Sequence, residues 1–160
     1  MRLLLLRHGI AEDRDPSGVG DAERRLTREG RKRVQAIAKG MRTLGIAPDA
    51  VLTSPLIRCR ETAEIVCGVL GVGAPARDGR LAPGADLEAV ADLVAERPDA
   101  TELALCGHQP DLGRMAEELT GADVEVKKGA LIVIELSRVR PHGGMLVGLY
   151  PPRALRRLAG

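Results

Sequence analysis

The chain has 160 residues, enough for one domain with a real core and too few for two, and its 44% hydrophobic and 29% charged residues are a globular balance. It has no Phe, no Trp and one Tyr, so the core must be Leu, Val, Ile and Ala, and the aromatic platforms on which RNA and single-stranded DNA stack are missing. A net charge of +2 adds no polyanion-binding excess, and no apolar run approaches the roughly 20 residues of a membrane span, which leaves a cytoplasmic protein with neither nucleic acid nor membrane as partner as the expectation.

Residues 2–6, mostly leucine, form a continuous apolar run, the pattern of a strand covered on both faces in a parallel sheet. The run is too short for a signal peptide, because Arg7 follows at once. Residues 8–25 are polar and aperiodic, a long loop of the kind that carries function. Thr27 caps a predicted helix whose apolar positions Val34, Ile37, Ala38, Met41 and Leu44 step by three and four up to Gly45. A short strand over 50–53 follows, then a second helix with Ser54 as N-cap and Pro55 at its first position, running to about Leu70 with Arg58 in its first turn.

The Gly/Pro-rich stretch 71–85 reads as a connection, after which Asp86 caps a helix that places Leu87, Val90, Ala91 and Val94 on one face and stops before Pro98. Residues 102–106 are a second buried strand ending at Gly107 and His108, and Pro110 opens a helix with Leu112, Met115, Ala116 and Leu119 inward. Residues 130–136 and 144–150 read as a hairpin at a sheet edge. The expected fold is a single α/β domain over 1–160: three layers, a mostly parallel central sheet, and a C-terminal edge hairpin.

Two buried strands end alike, one in Arg7 and His8 and the other in His108. In open α/β sheets the crevice beyond the carboxyl ends of the strands is the binding site, so both histidines are expected there, with Arg58 facing the same region. Guanidiniums and helix N-termini make an anion site suited to phosphate. A histidine with a free ring lone pair can form a covalent phospho-enzyme there, and neighbouring guanidinium charge keeps it neutral.

The segments LLLLRHGIAE, ERRLTREG, LTSPLIRCRETA and LCGHQP, in this order, resemble the motifs of the histidine phosphatase superfamily, with its phosphoglycerate-mutase-like fold. The short chain is most similar to the SixA-type phosphohistidine phosphatases, and the likeness runs from residue 2 to about 150. The resemblance implies that His8 is the phosphate-accepting nucleophile and that Arg7, Arg58 and His108 hold the phosphoryl oxygens. It also implies that Arg24 joins the phosphate site, although Arg25 stands where the family often has proline. Gly9 is positioned to offer its carbonyl to the His8 ring.

The broader family supplies a carboxylic acid that protonates a departing alkoxide, and the segment GRLAPGADLE has no clear match for it. Glu12 and Asp86 are the candidate acids, with Asp13, Asp78 and Glu88 nearby. A departing imidazole is far less basic than an alkoxide and needs less help, so the favoured substrate is a phosphorylated histidine of a protein in a phosphorelay. The stretch between Arg58 and His108 leaves no room for a cap over a small metabolite. Small phosphate monoesters are the alternative substrate class, and a non-catalytic phosphoprotein-binding module the alternative of another class.

No cofactor is implied, and three histidines without an H-x-x-x-H pair argue against a metal. Cys59, Cys67 and Cys106 lie in apolar segments without C-x-x-C spacing, as reduced buried thiols would. Cys59 and Cys106 flank the expected pocket, but neither has the arginine six positions later that a cysteine phosphatase needs.

Overall fold

In the computed structural model, which describes residues 1–160, the leucine run is β1 (Arg2–Arg7), and Leu3, Leu4 and Leu5 expose no surface. Side chains alternate across a strand, so Leu4 and Leu6 enter one apolar cluster while Leu3 and Leu5 enter another. The strand shows no polar alternation because helices cover both faces. Burying its four leucines contributes on the order of 8 kcal/mol before the entropy of ordering is subtracted.

β1 pairs in parallel with β4 (Glu102–Gly107), which pairs in parallel with β2 (Ala50–Thr53). On its other side β1 pairs antiparallel with β5 (Leu131–Leu136), which forms a hairpin with β6 (Gly144–Tyr150). The two-residue β3 (Ala76–Arg77) completes a six-stranded sheet of order β3-β2-β4-β1-β5-β6. This is the α/β architecture with a C-terminal edge hairpin that the pattern implied, and β1 and β4 lie at its centre.

One face carries α1 (Arg28–Thr43), α2 (Ile57–Leu70) and α5 (Pro152–Leu158); the other carries α3 (Leu87–Ala95) and α4 (Asp111–Thr120). Thr27 caps α1 by accepting from the Gly30 N–H at 2.9 Å. The apolar stripe Val34, Ile37, Ala38 and Met41 is buried as its period requires. Asp86 caps α3 through the Ala89 N–H at 3.0 Å.

Two local readings are corrected. The second helix starts at Ile57 rather than Pro55, and Ser54 is not its N-cap. Its hydroxyl instead lies 2.8 Å from the ring of His108, a long-range partner that no local pattern shows. The connection 71–85 contains β3 and a short 3-10 turn, Gly79–Leu81, which buries Leu81. The tail beyond 150, to which the sequence pattern assigns no element, forms α5, which local periodicity misses because Leu155 is the one residue it buries. That helix lies so close to α1 that a Cβ on Gly40 would stand 2.0 Å from the Leu155 carbonyl oxygen.

Candidate active site

Arg7 stands opposite Gly107 in the β1–β4 pairing, so the chain leaves both central strands at one level and His8 and His108 emerge side by side. Their ring centroids are 5.5 Å apart, tilted by 58°, and the residues are 6% and 4% exposed. Backbone bonds lock the position: the His8 N–H donates to the Gly107 carbonyl at 3.2 Å, and the Gly129 N–H donates to the carbonyls of Arg7 and His8.

His8 Nδ1 lies 2.7 Å from the Gly9 carbonyl oxygen. A carbonyl only accepts, so Nδ1 carries the hydrogen and Nε2 keeps its lone pair. The Gly9 N–H donates to Thr62 Oγ1 at 3.0 Å, and the Thr62 hydroxyl donates to the Arg58 carbonyl at 2.7 Å, which ties the turn after β1 to the first turns of α2. Burial, followed by the charges of Arg58, His108 and Arg7, pushes the His8 pKa down from 6.5 to about 3, against a smaller upward pull from the Gly9 bond. The ring is therefore uncharged at neutral pH.

Arg58, 5% exposed, donates from Nη1 to the Asp21 carbonyl at 2.7 Å and from Nη2 to Asp21 Oδ2 at 3.1 Å. Its Nη2 is also 3.4 Å from His108 Nδ1. A guanidinium only donates, so Nδ1 accepts and His108 Nε2 carries the hydrogen that reaches Ser54 Oγ at 2.8 Å. Arg7 donates from Nη1 to the Val126 carbonyl at 2.7 Å. Arg7 Nε and Arg58 Nε are buried with no hydrogen-bond partner.

These groups line a cleft of about 360 Å³ that has no hydrophobic residue in its wall. Five cationic side chains (Arg7, Arg14, Arg24, Arg58, Lys128) and both histidines face a single carboxylate, Asp21. Burial alone would raise the Asp21 pKa, but the Arg24 hydrogen bond and the charge and hydrogen bond of Arg58 hold it below the usual carboxylate value. A larger depression, about 510 Å³, lies at the opposite end of β1 and β4 around Arg2, Thr101 and Glu102 and gathers no histidine.

His8, Arg7, Arg58, His108 and Arg24 thus share one cleft. Glu12 and Asp86 do not line it. The Glu12 carboxylate accepts from the Arg25 N–H at 3.1 Å in the loop's own bridge, and Asp86 caps α3 beside a separate depression containing Arg114. Sequence reasoning missed Asp21, Arg14 and Lys128. Asp21 is one turn acid among several, and Lys128 comes near His8 only because β5 pairs with β1, which puts the chain entering β5 at the end where His8 and His108 emerge. The three cysteines are free and buried, with Cys59 Sγ packed 3.5 Å from His108 Nε2.

The sequence profile of the histidine phosphatase superfamily (branch 1) matches residues 3–82, which include His8 and Arg58. The chain belongs to this superfamily. Accordingly it is a phosphatase, a hydrolase of phosphorylated substrates. Among its relatives is an uncharacterized protein of Picosynechococcus sp., 38% identical over 152 residues, which cover 89% of this chain and 90% of that one. Among solved structures, the protein histidine phosphatase SixA complexed with tungstate superposes with a TM-score of 0.83 at 24% identity, over 97% of this chain and 99% of that one. The alpha-ribazole phosphatase of Shigella flexneri superposes with a TM-score of 0.70 at 17% identity, over 95% and 97%.

Proposed function

We propose that this phosphatase dephosphorylates a histidine-phosphorylated protein through a covalent phosphohistidine on His8. His8 Nε2 attacks phosphorus in line with the bond to the substrate imidazole. That P–N bond breaks with its electron pair going to the departing ring nitrogen, the other nitrogen of that ring already carrying a proton so that neutral imidazole leaves, while Arg7, Arg24 and Arg58 hold the phosphoryl oxygens and His108 orients Arg58 beside them. Water then attacks the same phosphorus, the P–Nε2 bond breaks, and the lone pair returns to His8 as phosphate leaves.

One observation carries the choice of substrate: the sole carboxyl in the cleft wall, Asp21, is kept ionised by two arginines and has no proton to give. An alkoxide leaving group would need that proton. A departing imidazole needs much less help. The SixA likeness agrees with this reading. The cleft volume of about 360 Å³ also suits a small ligand, and phosphatases of small phosphorylated molecules share the fold; small monoesters are therefore the second reading.

The test is a substrate panel of a histidine-phosphorylated phosphotransfer protein, sugar phosphates and p-nitrophenyl phosphate, with His8→Ala as control. The expected result is efficient release from the phosphoprotein, weak turnover of the esters, and loss of at least about a thousandfold in kcat for His8→Ala. Efficient ester turnover with an untouched phosphoprotein would reverse the substrate choice. An active His8→Ala protein would remove the mechanism.

A further inference from the structure

The carboxylate and the backbone carbonyl of Asp21 accept only from other members of the cleft. Its Oδ1 accepts from Arg24 Nη1 at 2.9 Å, its Oδ2 from Arg58 Nη2 at 3.1 Å, and its backbone carbonyl from Arg58 Nη1 at 2.7 Å. One residue thus grips Arg58 by two terminal nitrogens and Arg24 by a third. Arg24 is steadied from its other side, where Nε donates to the Glu12 carbonyl at 2.7 Å. Arg14 Nε approaches the same Asp21 oxygen more loosely, at 3.8 Å.

Two guanidiniums lining one small cleft repel each other, and the side chain of Arg58 is almost wholly out of water, at 6% exposure. Both problems are solved by one carboxylate between them. Its location is fixed by a tight 3-10 turn, Asp21–Glu23, entered through Gly18 and Gly20 at φ of 79° and 69°, a backbone that glycine adopts freely. The turn buries no side chain of its own, so its contribution to the fold runs through these ion pairs.

We infer that Asp21 is a positioning residue of the phosphate pocket, a shared counter-ion that fixes the spacing and orientation of Arg24 and Arg58. Their remaining terminal N–H groups are then presented to the phosphoryl oxygens as one array. The role needs a carboxylate, because only two equivalent acceptors can bridge two guanidiniums. An asparagine keeps one acceptor and turns an NH2 group against the second arginine. This rests on the phosphatase reading above, and it concerns binding of the anion rather than the identity of the substrate.

The test measures tungstate and inorganic phosphate binding by calorimetry, together with p-nitrophenyl phosphate kinetics, for Asp21→Asn, Asp21→Glu, Arg24→Ala and the Asp21→Asn/Arg24→Ala pair. Asp21→Asn is expected to weaken tungstate roughly tenfold, the loss of one well-oriented charge-assisted contact. KM should rise in parallel while kcat changes by less than about threefold. Asp21→Glu, which restores charge and both acceptors on a longer stem, should recover part of the affinity. In the Arg24→Ala background the same Asp21→Asn change should cost no more than about threefold, since half of what it holds is gone.

Tighter tungstate in Asp21→Asn would make Asp21 a competitor for the arginines and overturn the inference. So would full additivity with Arg24→Ala, or equal losses in Asp21→Asn and Asp21→Glu. If Asp21→Asn does not fold, Asp21→Glu and Arg24→Ala, singly and together, make the same comparison. An active His8→Ala protein would defeat the phosphatase mechanism yet leave the tungstate comparison intact.

Discussion

Replacing His8 by Asn should make the protein less sensitive to acid. The unfolded chain takes up a proton at His8 as pH falls through 6.5, whereas the buried ring in the folded protein resists until about 3. Unfolding is therefore favoured as pH falls between those values, and the stability that the neutral ring preserves is present only above them. The penalty from this one group is about 0.2 kcal/mol at pH 7, about 2 kcal/mol at pH 5 and about 3 kcal/mol at pH 4. Asparagine does not titrate, and His108 and His142 are common to both proteins. Urea denaturation at pH 7, 6 and 5 isolates the difference. Between pH 7 and 5 the wild type should lose about 2 kcal/mol more than His8→Asn, near 1 M in midpoint for a slope of about 2 kcal/mol per M. Parallel decline of the two proteins would refute the claim that burial and neighbouring charge keep His8 neutral.

Ser54→Ala removes the partner of His108 Nε2 and leaves a buried N–H unpaired; it should cost about 1–3 kcal/mol in chemical denaturation and lower kcat, and unchanged stability and turnover would show that the 2.8 Å contact does not hold the ring. Leu155→Ala should cost about 3 kcal/mol, a fall in Tm of roughly 6–12 °C by calorimetry, while kcat at 25 °C stays at its wild-type value, because Leu155 is buried in the core against α1 and touches nothing in the cleft. Loss of activity without loss of stability would mean that α5 couples to the site.

The candidate site was legible in the sequence to the extent that its residues sit at the ends of strongly patterned elements. His8 and His108 each follow a strand buried on both faces, and a rigid strand delivers whatever comes after it to a predictable place. Arg58 is similar, being carried in the first turn of a helix that follows a strand. Asp21 and Arg14 lie in a long aperiodic loop, whose path is set by ion pairs to Arg58 and Arg24 and by the buried carboxylate of Glu61, which accepts from the Leu26 N–H at 2.8 Å. No local rule anticipates such contacts.

The sequence by itself determined the layer architecture, the two central strands and the crevice in which both histidines meet, because periodic burial and strand ends are local properties written residue by residue. Tertiary structure alone decided which acids reach that crevice and which cap something else, that Ser54 serves His108 instead of a helix, and that a polar-looking tail folds back as α5. Each of these depends on a partner distant in the chain, such as Arg58 for Asp21 or Gly40 for Leu155, and contacts across such separations are fixed only when the whole sheet has assembled.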